Sequence, residues 1–68
     1  MRELTDRQLE ILTFIRAYSE GNGYAPSIRD ISIQFGIALR AVQDHLAALE
    51  RKGAIHRTNY VARSIVIT

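Results

Sequence analysis

Glycine stands at only four places in this chain, and each ends or punctuates an apolar pattern of helical spacing: Gly21 and Gly23, Gly36, and Gly53. A residue without a Cβ adopts the left-handed backbone that stops a helix. The 68 residues are thereby cut into three short helical segments and a tail. The first segment starts well. Thr5 caps it, Gln8 completes a capping box, and Leu4 with Leu9 are placed for a hydrophobic staple. Ile11, Leu12, Ile15 and Tyr18 continue its apolar face. Pro26 disfavours helix at Ala25, so "GYAPS" is a loop. Ser27 caps the second segment, Asp30 sits at its positive end, and Ile28, Ile31 and Phe35 share a face. Gly36 makes a tight turn with Ile37 pointing inward. The third helix is expected from about Leu39 to Lys52, with Val42, Leu46 and Leu49 as its buried stripe.

After Gly53 the period changes. Ile55–Thr58 and Arg63–Thr68 read as β runs, and "NYVA" separates them at hairpin length. An isolated hairpin is barely stable, so this one is expected to pack on the helices. The expected fold is α+β, mainly α, in one domain over residues 1–68: a helix-turn-helix followed by a β-hairpin, which is the winged-helix plan. A chain this short buries only about 60% of its unfolded surface. It has no Cys, so neither a disulfide framework nor a thiolate metal site is open to it. Its 47% of hydrophobic residues is ordinary for a globule and too high for disorder. No apolar run approaches the roughly 18 residues of a membrane span, and the N-terminus has no signal-peptide apolar region. The expectation is a cytoplasmic, nucleoid-associated chain with no membrane partner. His45 borders the buried stripe, and His56 lacks partners at metal spacing. No nucleophile–base pair stands out, so no catalysis, cofactor or metal is expected.

The net charge is only +2, with a sequence pI near 9.5, but all except one of the nine basic residues are Arg. The Arg fork matches phosphate and guanine edges in a way Lys does not, which points toward nucleic acid. At about 100° per residue, Arg40, Asp44, Ala47 and Arg51 lie opposite Val42, with Gln43 beside them. A recognition helix puts its N-terminal residues against base edges in the major groove. There Arg40 suits guanine, Gln43 adenine and Asp44 cytosine, while Ala41 and Ala47 leave clearance or meet a thymine methyl. The plainer reading is a solvated face on which Arg40 and Asp44 pair at i,i+4. Ser27 and Arg29 open the second helix, where a helix N-terminus favours phosphate. Arg57, Asn59 and Arg63 fall on or beside the hairpin, either for backbone and minor-groove contact or as charged protection of a strand edge. A different function class is a protein-interaction module docking through Ile33, Leu39 and Tyr60.

Four stretches taken together, "LTDRQLEILTFI" at 4–15, "GYAPSIRDI" at 23–31, "HLAALERKGAI" at 45–55 and "ARSIVI" at 62–67, resemble the N-terminal DNA-binding domain of the LexA repressor family. The resemblance covers nearly the whole chain in order. It implies a winged-helix domain that binds double-stranded operator DNA in a repressor of DNA-damage-response genes. It also implies a domain that is monomeric alone and paired on DNA or through a C-terminal Ser/Lys self-cleaving domain, which this sequence lacks. Three departures stand out. Ala38 and Ala41 replace the hydroxyl or amide residues usual in the family at the start of the third helix. The segment between Gly36 and Val42 is one residue shorter than in many relatives. Ile33 replaces a residue that is usually polar or basic.

Overall fold

A computed structural model describes residues 3–58 and 61–68. Its elements run α1 (Asp6–Asn22), α2 (Ile28–Phe35), α3 (Leu39–Arg51), β1 (Ile55–His56) and β2 (Val66–Ile67). The α+β winged-helix order expected from the sequence is the order observed.

The first two helices begin on reciprocal capping boxes. The Gln8 amide N–H donates to Thr5 Oγ1 at 3.1 Å, and Thr5 N–H donates to Gln8 Oε1 at 3.0 Å. Ser27 and Asp30 repeat the exchange at 3.1 and 2.9 Å. The ends use glycine in the left-handed region, at Gly23 (φ 79°), Gly36 (φ 63°) and Gly53 (φ 75°). After α3, Ala54 N–H reaches Leu49 O and Gly53 N–H reaches Glu50 O, both at 2.9 Å. This double bond pattern satisfies carbonyls that the helix end leaves open and turns the chain back toward the hairpin.

The core is drawn from every element. Ile11 and Ile15 of α1, Ile31 of α2, and Val42, Leu46 and Leu49 of α3 are fully enclosed, and Ala54, Ile55 and Ile65 close it from the wing side. Leu4 packs against this core, but its expected staple partner Leu9 is 53% exposed. Leu9 is two residues before Ile11 and so about 200° round the helix from the buried stripe. An aromatic row backs the core. Phe35 meets Phe14 edge-on at 5.7 Å, Phe14 meets Tyr18 at 5.7 Å, and Tyr18 meets Tyr24 at 6.0 Å.

The hairpin is shorter than the alternation suggested. The two strands pair antiparallel over two residues each, Ile55 with Ile67 and His56 with Val66, instead of over Ile55–Thr58 and Arg63–Thr68. The cause lies at two residues. Arg63 has φ 57°, which bends the returning limb out of extended geometry. One residue on, Ser64 Oγ accepts from Thr58 N–H at 3.0 Å and donates to Thr58 O at 2.9 Å. In this register Thr58 faces Ser64, so a side chain makes the bonds that a ladder would have made with backbone. On the other side, Thr68 N–H donates to Ala54 O at 3.1 Å and extends the pairing past the strand ends.

Candidate nucleic-acid interface

The first turn of α3 stands clear of the core, which begins to cover the helix at Val42. Leu39 is in line with Leu46, seven residues on, yet it is 46% exposed while Leu46 is fully buried. The apolar stripe thus continues past the body that would cover it. On the outward side, Arg40 and Asp44 form an ion pair at 3.6 Å, with their side chains 86% and 70% exposed. So open a pair is worth little and gives up its partners readily. Gln43 and Arg51 are exposed beside them, and Ala41 and Ala47 are half-buried. Ala38 takes the N-cap position with extended backbone (φ −66°, ψ 153°) but makes no side-chain capping bond. The tip of α3 therefore presents backbone and small side chains, then an Arg, a Gln and an Asp.

Beside this tip runs a groove of about 710 Å³. One wall is the start of α2, with Ser27 and Arg29; α3 contributes Leu39 and Gln43; the other wall is the wing, with Arg57, Thr58, Arg63, Ser64 and Ile65 among its residues. The groove unites Ser27, Arg29, Gln43, Arg57 and Arg63 of the residues expected to act together. Arg40, Ala41, Asp44, Ala47 and Arg51 are not part of its lining. Thr58 and Ser64 line it without having been singled out by their sequence context, since their place depends on the wing closing over α2. Asn59 and Tyr60 lie outside the described residues. Ile33 is 73% exposed on α2 and does not line the groove that Leu39 lines, so these two do not form one apolar patch there.

Two arginines of the wing have partners within the protein. Arg57 Nε donates to Glu50 Oε1 at 2.8 Å, and its side chain is only 20% exposed. Arg63 Nη1 lies 3.0 Å from Asp30 Oδ2, 3.1 Å from Ala25 O and 3.2 Å from Tyr18 Oη. Its guanidinium also covers the Tyr24 ring at 4.9 Å. Asp30 is held below the usual carboxylate range, first by the Ser27 backbone N–H, then by the Ser27 and Tyr18 hydroxyls and the charge of Arg63. Arg63 is pushed up, first by the Tyr18 hydroxyl and then by Asp30. His56 is exposed and His45 half-buried, and no cluster suited to a metal ion occurs among the described residues.

A family model for the LexA DNA binding domain matches residues 1–64. The chain belongs to the LexA DNA-binding domain family. Relatives named LexA repressor include those of Petrotoga mobilis, 53% identical over 66 residues; Thermosipho africanus, 49% over 65; and Thermotoga neapolitana, 46% over 68. These alignments cover 96%, 96% and 100% of this chain. The chain spans about a third of their length, at 32%, 33% and 34%. The LexA match takes in all three helices and the wing as far as Ser64, so every described residue of the interface lies inside it, apart from Ile65 at the groove's edge. No described helix is long and apolar enough to cross a membrane.

Proposed function

We propose that this chain binds double-stranded DNA as the operator-recognition domain of a LexA-type transcriptional repressor in the SOS response to DNA damage. The observation that carries the reading is the exposed first turn and outer side of α3 in a chain of the LexA DNA-binding family. A helix whose stripe runs out past the core can enter the major groove, about 12 Å wide, without the rest of the body colliding with the duplex. Arg40, Gln43 and Asp44 then meet base edges, and Ala41 and Ala47 allow close approach. Ser27 and Arg29 at the start of α2, and Arg51 at the end of α3, face the phosphates on either side. Arg57 and Asn59 contact the same backbone from the wing, and Arg63 acts there through the wing's position. The reaction class is binding alone, with no role for catalysis or a cofactor. The domain acts as a monomer when isolated and pairs on DNA, because dimeric repressors read paired half-sites. Such a chain works at the nucleoid.

Duplex binding measured over a salt series tests this reading. Each neutralised phosphate contributes about −0.9 to the slope of log affinity against log salt, so Arg29 and Arg51 alone predict a slope of roughly −2. Docking through an apolar patch behaves oppositely, since salting-out strengthens burial. A duplex affinity that is flat or rises with salt would overturn the proposal.

A further inference from the structure

We propose that Arg63 is a positioning residue, which fastens the wing to the first turn of α2 and so sets the width of the groove before DNA arrives. This rests on the reading of the groove as a DNA-binding face. The first observation is the backbone. Arg63 is the one non-glycine residue among those described with positive φ, 57°. A Cβ disfavours that conformation, and it persists where surrounding contacts enforce it. The second is what enforces it. A single nitrogen, Nη1, lies within hydrogen-bond distance of oxygens on α1 (Tyr18), on the α1–α2 loop (Ala25) and on α2 (Asp30). The Tyr24 ring covers the same guanidinium. The partners are 33 to 45 residues away in sequence, so the bonds join the wing to three separate parts of the body.

The third observation is the choice of carboxylate. Asp30 Oδ2 also accepts the Ser27 N–H at 2.9 Å, so the anchor for the wing is the capping box of α2. Arg63 and Ser64 on one wall are thereby tied to Ser27 and Arg29 on the other. A DNA phosphate reaching for Nη1 must compete with a carboxylate, a carbonyl and a hydroxyl, and one that binds the other guanidinium nitrogens leaves the latch in place. Arg29 on the facing wall is exposed, and no ion pair engages it among the described residues, so its fork is open to phosphate.

Asp30→Asn and Arg63→Gln separate the two roles, with and without DNA. In the free domain, both changes should shift the Tyr18 and Tyr24 ring resonances and speed exchange of the Thr58 amide on the order of tenfold, as a local opening becomes easier. On duplex DNA, both should weaken binding by roughly three- to tenfold, the weight of one ordinary hydrogen bond, with the salt slope unchanged. The Asp30→Asn result is the sharper one, because the change removes a negative charge that DNA repels. If Arg63 is instead a phosphate clamp, Arg63→Gln lowers the slope by about 1, and Asp30→Asn tightens binding by releasing the cation. Either outcome overturns the positioning role, as does an unaltered wing in both free variants. Should Arg63→Gln fail to fold, Asp30→Asn decides alone, since its amide oxygen still serves the Ser27 N–H. A wild-type domain that ignores duplex DNA would count against the functional reading only. The free-domain comparison would still uphold or refute the latch.

Discussion

Gln8 carries more than its place in a capping box. It is the only polar residue enclosed among the described residues, at 8% exposure. Its Oε1 accepts from Thr5 N–H and also from Lys52 Nζ at 2.7 Å, and Lys52 reaches on to Glu3 O at 2.7 Å. The single lysine of the chain thus ties the end of α3 to the start of α1. Gln8→Ala leaves two donors without their acceptor, at a cost of about 1–2 kcal/mol. In a domain of this size each kcal/mol lowers the melting temperature by roughly 4–8 °C, so a thermal scan resolves it. The half of this arrangement that follows local rules is legible in the sequence, because Thr5 and Gln8 are three residues apart. The Lys52 contact spans 44 residues and is not. The same division holds for the arginines. The i,i+4 spacing announces Arg40 and Asp44. Nothing local announces that Arg57 pairs with Glu50 or that Arg63 reaches Asp30.

The helices could be placed closely from sequence because their boundaries are set by residues within a turn of each end. Thr5 and Ser27 cap, Gly23 and Gly36 stop, and α3 ends one residue before the expected Lys52. The wing could not, since its length is decided by a left-handed Arg63 and by a serine side chain replacing a ladder bond. The start of α3 is a separate case. Ala38 already has the extended backbone of an N-cap but lacks the oxygen to use it. Ala38→Ser should add about 1 kcal/mol of stability, within a range of roughly 0.5–2, without moving the helix. A rise in the urea midpoint at unchanged slope would bear this out. A fall would mean that the serine bonds elsewhere and that α3 starts differently.

As a whole, the molecule sets one exposed helix tip against a groove whose walls are the start of α2 and the wing. Of the residues expected to act on DNA, Arg40, Ala41, Asp44, Ala47 and Arg51 lie outside the groove, whereas Gln43 lines it together with Ser27, Arg29, Arg57 and Arg63. That separation was legible in part. Helical spacing puts Arg40, Asp44, Ala47 and Arg51 on one side, but only the folded hairpin brings Arg57 and Arg63 to the start of α2. The central claim is that the outer side of α3 reads base pairs. It is tested most directly by binding Arg40→Ala and Arg29→Ala to a duplex selected by the wild-type domain and to its scrambled counterpart, over a salt series. Arg40→Ala should cost about 1–3 kcal/mol on the selected duplex, relax preference at one base pair and spare the scrambled one. Arg29→Ala should weaken both alike and lower the salt slope by about 1. Equal losses on both duplexes for Arg40→Ala would contradict the account, because Arg40 would then hold the backbone and the bases would be read elsewhere.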